Sequence, residues 1–322
     1  MRSLLGIVPG VLIICQLAGC DESVNLNAPF EQKLVVYCVL TNRSDTQFAR
    51  VYTTYPVGEG VRDSTGHGVE DVTMTVRQGP RTYTFSDTSV VGDSLSRPPV
   101  WVLARVAHGL SVEEGKTYEL VVNSPSLGEV HSSVTSLSRG EMYVENPESL
   151  EVPTQVARFP VIVTLGSNAA AYILHFFLDY DDLVGGTWRS ERVEVPWDVQ
   201  DAGGGESPKP IYPVLLGRGQ NTRWSPSGSD GVSFSGTAYR YVVSRLRAQF
   251  PGGDLRFKRA VFSLTQIDHP MYAYYSTVNG FPGSATLRLD DPDYSNIVGG
   301  LGVFATMRGD LYALPLSPTL GF

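Results

Sequence analysis

The sequence predicts an all-β protein: an N-terminal immunoglobulin-like or prealbumin-like β-sandwich, followed by a second β-rich domain with one short helix. Short runs of β-branched and aromatic residues recur along the chain, and turn residues separate them. Gly and Pro are enriched, with 33 and 21 copies in 322 residues. Charged residues make up only 18% of the chain, which argues against long helices and against disorder.

The sandwich is predicted over residues 33–137. Residues 33–40 form one apolar run of strand length, and residues 47–55 alternate between apolar and polar side chains. The remaining strand candidates are residues 69–76, 83–85, 100–106, 118–122 and 130–134. About seven short strands in roughly a hundred residues are typical of a sandwich.

A linker is predicted at residues 138–157, where the chain becomes acidic and has few aliphatic pairs. The second β-rich domain then covers residues 158–322. Its strand candidates are residues 159–165, 170–178, 233–243 and 255–264.

The one predicted helix begins near Asp268, which is its N-cap or lies just before the N-cap, and ends at the Asn-Gly pair of residues 279–280. Pro270 is compatible with the first turn. Tyr272, Tyr275 and Val278 fall on one face at helical spacing. Such an aromatic stripe indicates packing against the body rather than a ligand platform.

The amino terminus predicts export. Residues 1–19 have a basic start at Arg2 and an apolar stretch too short to span a bilayer. They read as a signal peptide that ends in Leu-Ala-Gly before Cys20, similar to the lipobox at which bacteria acylate a cysteine. The alternative is an ordinary secretory signal with an incidental cysteine. The lipobox interpretation predicts a membrane anchor at Cys20.

Residues 20–32 are predicted to be a lipidated polar tether, which makes the chain a lipoprotein of the cell envelope. Asp21 and Glu22 resemble the signal that places lipoproteins of Bacteroidota on the outer face, but a solvated linker explains them equally. The net charge of −8, which becomes −9 once Arg2 is removed, argues against nucleic acid as a partner. With Cys20 acylated, Cys38 has no disulfide partner, and its apolar run predicts a buried, inert thiol.

No motif predicts catalysis or a cofactor. Residues 115–117 (GKT) resemble the end of a phosphate-binding loop, but the spacing from Gly109 is wrong and a strand follows. The five histidines are scattered, and the chain contains neither a Gly-x-Ser-x-Gly nor a His-Glu-x-x-His motif. We therefore expect a protein that is not an enzyme and has no cofactor.

Two acidic clusters are candidates for a hard cation such as calcium. The first contains Asp179, Asp181 and Asp182, and the second contains Asp291 and Asp293. Neither has the loop of an EF-hand, and a solvated acidic turn is the other interpretation of each. No metal site is predicted from them.

Five stretches together resemble the domain-of-unknown-function 4249 family (DUF4249), a group of Bacteroidota outer-membrane lipoproteins of unassigned activity. They are residues 33–37 (KLVVY), 68–76 (GVEDVTMTV), 114–122 (EGKTYELVV), 268–275 (DHPMYAYY) and 293–304 (DYSNIVGGLGVF). The last stretch is the most specific, and the five cover the body from end to end. The loop at residues 58–68 and the glycine-rich insert near Gly203 depart from the family pattern.

The resemblance implies an accessory role at a TonB-dependent outer-membrane receptor, since members of that family are often encoded beside one. The resemblance assigns no catalytic residues to this chain. A stand-alone lipoprotein that binds a glycan or a peptide is the alternative, with Trp188, Trp197 and Trp224 as candidate stacking residues. A hydrolase with an unrecognised site is the third hypothesis, and the ligand-binding residues are not predicted.

Overall fold

The computed structural model describes residues 31–54, 69, 71–93, 100–152, 157–200, 208–220, 222–226, 228–279 and 294–320. The predicted signal peptide, Cys20 and nearly all of the tether lie outside this part of the chain. The chain divides into Met1–Glu31, of which only Glu31 is described, and one compact unit, Gln32–Phe322. Among the described residues, no helix has the length and apolar character needed to cross a membrane.

The body is mostly β, which confirms the predicted fold class. The strands are β1 (Leu34–Thr41), β2 (Gln47–Thr53), β3 (Thr73–Gln78), β4 (Arg81–Asp93), β5 (Val100–Ala107), β6 (Thr117–Ser124), β7 (Gly128–Thr135), β8 (Glu141–Val144), β9 (Arg158–Thr164), β10 (Ala169–Val184), β11 (Thr187–Val195), β12 (Asp198–Gln200), β13 (Lys209–Ile211), β14 (Leu216–Gly217), β15 (Gly231–Ser235), β16 (Leu255–Asp268) and β17 (Leu301–Pro315). The helices are a 3-10 turn (Pro147–Leu150), α1 (Gly236–Gln249) and α2 (His269–Asn279).

One large sheet runs through the described body in the order β11-β10-β16-β17-β1-β2-β5-β4-β3-β6-β7, and β14 pairs with β10 beside it. Its neighbouring strands are antiparallel except for β1 and β17, which are parallel and pair Val35 with Leu301 through Thr41 with Met307. Two smaller sheets, β12-β13 and β15-β9-β8, complete the described strands.

The first hydrophobic core lies within a sandwich. The first half of β4 pairs with β3 and its second half with β5, so this strand carries the sheet from one layer to the other. Alternate side chains of β1, beginning with Leu34 and Val36, pack against buried side chains of β3, β6 and β7. Phe304 of β17 is buried in the same core. The carboxyl-terminal part of the chain therefore completes the N-terminal sandwich.

The second core is rich in aromatic side chains. Phe176 of β10 contacts Phe159, Phe234, Tyr239 and Phe262, with ring centroids 4.7 to 5.7 Å apart. These side chains come from the large sheet, from the three-stranded sheet and from α1, and all are fully buried. Burial of such rings contributes both apolar area and favourable ring-pair geometry.

The prediction of a strand at residues 233–243 is wrong beyond Ser235. The chain leaves β15 at that residue and enters α1, where Ser235 Oγ accepts a hydrogen bond from Ala238 N. Tyr239, Val242, Val243 and Leu246 are buried at helical spacing. Their β-branched and aromatic character suggested a strand, but the N-cap and the packing of this face select a helix.

The division into domains at residues 138–157 stays a prediction. These residues contain β8 and the 3-10 turn, and the large sheet continues from the first core into the second through the β1–β17 pair. The two cores are thus joined by a continuous hydrogen-bonded sheet.

Two asparagine side chains bind the backbone of β17, one midway along its pairing with β1 and one just beyond the end of that pairing. Asn296 Nδ2 donates to Phe304 O at 2.7 Å, and Phe304 N donates to Asn296 Oδ1 at 2.9 Å. Asn42 makes the same two-way contact with Gly309, at 3.0 and 2.8 Å. Each amide offers one donor and one acceptor, so it replaces a neighbouring strand for one residue. This gives the asparagine of residues 293–304 a structural role.

Candidate functional site

The acidic cluster on β10 is engaged by cationic side chains. Asp179 accepts hydrogen bonds from Arg192 Nε at 2.6 Å and from Arg259 Nε at 2.6 Å. Asp181 accepts from Ser190 and lies 3.3 Å from Lys258 Nζ. Within the described ranges, no group of three His, Cys, Asp or Glu side chains could hold a metal ion. The calcium interpretation of this cluster therefore gains no support.

Asp182 and the second acidic cluster add no support for a calcium site. Asp182 is buried, and its Oδ1 has no hydrogen-bond partner in the described part of the chain. Asp291 and Asp293 lie outside the described residues, as does Cys20.

The arginine pair around Asp179 predicts a dependence of stability on acid. The hydrogen bonds from Arg192 and Arg259 hold the pKa of Asp179 below its ordinary value, against the opposing effect of burial. A lowered folded-state pKa stabilises the fold above the unfolded-state pKa, and this contribution is lost as the pH falls through the folded-state value. We expect Asp179→Asn to lower the free energy of unfolding at pH 7 by about 1–2 kcal/mol, a modest figure because both arginines are half exposed.

Urea unfolding at a series of pH values checks this prediction. The Asp179→Asn variant should lose less stability than the wild type between neutral and strongly acidic pH. Glu191→Gln on the exposed strand β11 is the control and should follow the wild-type curve. Identical acid sensitivity of Asp179→Asn and the wild type would contradict the role of the arginine pair.

The three candidate tryptophans do not form one exposed platform. Trp197 is fully buried, and its Nε1 donates to Leu174 O at 2.8 Å. Trp224 packs against the second core with its ring centroid 5.5 Å from that of Trp197. Trp188 is 37% exposed and is covered by Arg256, whose guanidinium lies 4.1 Å from the ring centroid. Their arrangement removes the support that these residues offered for glycan stacking.

Cys38, His175 and Gly115, which the sequence offered as further candidates for chemistry, have structural roles in the described part of the chain. Cys38 is buried as predicted, and burial raises the pKa of its thiol to about 12, so the thiol stays protonated. His175 Nδ1 lies 2.6 Å from Glu194 Oε1, and its ring stacks on Phe177. Gly115 has a φ of +66° in the turn that precedes β6, as expected for a turn rather than a phosphate-binding loop.

A cleft of about 370 Å³ lies where β1, β2, β17 and α2 meet. Its lining consists of aromatic, hydroxyl-bearing and aliphatic residues and glycine: Val35, Tyr37, Tyr52, Thr53, Thr54, Tyr274, Thr277, Tyr294, Ser295, Leu301 and Gly302. Its volume is at the small end of the range for ligand pockets, about 300–1,000 Å³. Other described openings are of similar or larger volume, so the aromatic and hydroxyl-bearing lining is what makes this cleft the candidate functional site.

Tyrosine rings form one side of the cleft. Tyr37 on β1 and Tyr52 on β2 are diagonal neighbours, since Tyr37 pairs with Arg50 and Tyr52 with Val35. Their rings stack with centroids 5.5 Å apart and planes 15° apart. Tyr274 on α2 meets Tyr37 edge to face at 5.2 Å. The guanidinium of Arg50 lies 5.9 Å from the Tyr52 centroid. These contacts fix the rings in defined orientations, as a preformed binding site requires.

The hydroxyl groups of the cleft keep hydrogen-bonding capacity. Thr53 Oγ1 accepts from Gln32 Nε2 and Thr54 Oγ1 accepts from the Lys33 amide, both at 2.9 Å. Ser295 Oγ accepts from Ile297 N at 3.2 Å. A hydroxyl that accepts one bond still carries a proton to donate. Thr277 Oγ1 is used as a donor to Tyr274 O and keeps its lone pairs.

The lining is electrically neutral. It contains no Asp, Glu, Lys, Arg or His side chain among the described residues. Burial raises the pKa of Tyr52, as does its hydrogen bond with Tyr37, and burial likewise raises the pKa of Tyr294. The two phenols therefore remain protonated at neutral pH. The described groups of the cleft can bind a ligand through contacts and hydrogen bonds.

Asp268 anchors the helix that closes one side of the cleft. It is the N-cap of α2, the first of the two predicted placements, because its Oδ1 accepts from Met271 N at 3.0 Å. Its Oδ2 accepts from the backbone N and the hydroxyl of Thr306 on β17, at 2.6 and 3.0 Å. The side chain is almost completely buried, and burial raises its pKa although these hydrogen bonds oppose the shift.

Three of the five stretches behind the family resemblance line this cleft. Residues 33–37 supply Val35 and Tyr37, residues 268–275 supply Tyr274, and residues 293–304 supply Tyr294 and its neighbours. The sequence interpretation treated the tyrosines of α2 as packing residues. Tyr272 is a packing residue, since its hydroxyl lies beside Gly217. Tyr274, in contrast, lines the cleft, and Tyr275 is 45% exposed. The recurrence of tyrosine in all three stretches was the available signal.

The chain matches the sequence model of a known protein family. A sequence model of a family described as a domain of unknown function, DUF4249, matches residues 21–310. No curated protein matches the chain.

Proposed function

We propose, because the chain belongs to the DUF4249 family, that it is a lipid-anchored binding protein of the bacterial outer membrane, working as an accessory to a TonB-dependent receptor in nutrient uptake. In this proposal Cys20 carries the lipid and the tyrosine-lined cleft is the ligand site. The proposal has three parts, namely anchorage, binding and receptor association, and each rests on a different observation.

The binding part rests on the cleft. Three separate stretches of the chain, each contributing to the family resemblance, meet at one neutral opening lined by rings and hydroxyl groups. Residues brought together from distant parts of the chain around an opening are what a binding function requires. The neutral lining favours binding over catalysis, because acid–base or nucleophilic chemistry needs groups with tuned ionisation.

The anchorage part rests on the Leu-Ala-Gly-Cys ending of residues 17–20 and on the polar tether behind it. The receptor part rests on the resemblance alone, which implies an accessory role beside a TonB-dependent receptor. Lipid anchorage would hold the body at the membrane in which such a receptor sits.

Affinity purification from solubilised outer membrane tests the receptor part. We expect a TonB-dependent receptor to co-elute with the tagged full-length lipoprotein under mild detergent. An unrelated outer-membrane lipoprotein, tagged and solubilised in the same way, is the control and should not recover that receptor. Elution of the protein without any receptor would contradict the accessory role.

A stand-alone binding lipoprotein is the second candidate function. It is favoured by the fact that the described residues of this one chain form the cleft, including both its aromatic and its hydroxyl groups. A receptor-free purification combined with ligand binding by the purified protein would select this candidate. The tryptophans, in contrast, no longer support it.

A further inference from the structure

We propose that the tyrosine-lined cleft binds a neutral carbohydrate. This inference rests on the proposed binding function and adds the chemical class of the ligand. Three features support it: the charge of the lining, the character of its polar groups and the pairing of the strands beneath it.

The charge of the lining excludes strongly ionic ligands. A desolvated carboxylate, phosphate or ammonium group needs a partner of opposite charge, since burial of an unpaired charge is costly. The lining residues in the described part carry no such partner, and Arg50 lies against the Tyr52 ring rather than among them. A ligand group held by these described residues alone is therefore uncharged.

The polar groups of the cleft match those of a sugar. Tyrosine, threonine and serine hydroxyls supply the side-chain polar groups of the lining, and a hydroxyl both donates and accepts. Sugar hydroxyls have the same dual character, so a hydroxyl of the cleft and a hydroxyl of the sugar can each serve as the donor or the acceptor of a shared hydrogen bond. Tyr37, Tyr52 and Tyr274 all line the cleft, although Tyr37 and Tyr52 cover part of each other by stacking. The parts of these rings that border the cleft are apolar surface, which suits the C–H face of a pyranose ring.

The strands beneath the cleft are unsuited to an extended peptide. A peptide that adds to a sheet needs an unpaired strand edge whose main-chain groups it can bond. β1 pairs with β2 on one side and with β17 on the other, so its main-chain groups are already used there. Recognition in the cleft must instead go through side chains, as it does for a sugar.

Saturation-transfer NMR on the purified full-length lipoprotein tests the inference. The detergent must have no sugar head group, and the probes are maltohexaose, cellohexaose, laminarihexaose and xylohexaose. Trigalacturonic acid serves as the charged comparison and acetyl-Gly-Tyr-Gly-amide as the peptide comparison. We expect saturation of at least one neutral oligosaccharide and none of the charged or peptide probes.

Matched variants locate the site. Tyr274→Leu removes a ring of the cleft and should weaken binding about tenfold, which corresponds to about 1.4 kcal/mol. Thr277→Val keeps the shape of the side chain but removes its hydroxyl, and it should weaken binding severalfold. Tyr143→Leu removes an exposed tyrosine of β8 that is not part of the lining and should leave binding unchanged. Circular dichroism melting curves establish that each variant is folded.

Three results would overturn the inference. Either no neutral oligosaccharide binds, or Tyr274→Leu and Thr277→Val both leave the affinity for the bound sugar unchanged. The third result is that only the peptide binds and that the two cleft variants weaken its binding. The last result would keep a binding function for the cleft and replace the ligand class. Because acylation and receptor co-elution are measured without any sugar, failure of the carbohydrate inference is distinguishable from failure of the proposed function.

Discussion

Gly302→Ala is expected to cost at least about 3 kcal/mol of folding free energy, enough to leave much of the protein unfolded. Gly302 has a φ of +108°, a conformation that residues with a Cβ rarely adopt. A Cβ at this position would lie 2.1 Å from Val36 O and 2.8 Å from Val36 C. Both are backbone atoms of β1, so the clash can be relieved only by separating the parallel strands.

The same substitution at Gly252 is the control. Gly252 has a φ of +81°, but a Cβ there would meet no atom within 4 Å, so Gly252→Ala bears only the backbone strain of about 1–2 kcal/mol. Urea unfolding of both variants separates the clash from the strain. Equal losses of stability in the two variants would contradict the claim that close packing of β1 and β17 requires glycine at position 302.

Cys20→Ser is expected to transfer essentially all of the protein from the membrane fraction to the soluble fraction. The proposed anchor is the lipid on this thiol, and each buried methylene group of such a chain contributes about 0.8 kcal/mol to membrane binding. A serine hydroxyl cannot form the thioether bond to diacylglycerol, so the variant has no anchor. Immunoblots of separated membranes, before and after a carbonate wash, measure the distribution.

Cys15→Ser, within the predicted signal, is the matched control and should stay in the membrane fraction. A Cys20→Ser protein that remains with the membrane would contradict lipid anchorage at this residue. Retention through the receptor alone is distinguishable, because deletion of the receptor gene would then release the variant.

The sequence predicted the elements whose side chains alternate between core and solvent. β3, β6 and β7 have this pattern, whereas β1 was predicted from its continuous apolar run. β11 was missed because it is an exposed edge strand, with polar side chains on both faces over most of its length. α1 was taken for a strand because its buried face carries valine and tyrosine, which are common in both kinds of element.

The cleft could not be predicted from any local pattern. Its rings come from β1, from β2, from α2 and from the segment before β17, and the parallel pairing of β1 with β17 is what brings opposite ends of the chain together. Each tyrosine taken alone resembles a packing residue. Only the folded structure shows that Tyr52 lies diagonal to Tyr37 and stacks on it, and that Tyr274 meets Tyr37.

Mass spectrometry of the mature protein isolated from membranes tests the central claim most directly, because the proposed role at an outer-membrane receptor assumes a body tethered at its first residue. We predict an amino-terminal peptide that begins at Cys20 and carries the mass of diacylglycerol on its sulfur. An amino terminus at any other residue, or a Cys20 without fatty acid, would contradict the account.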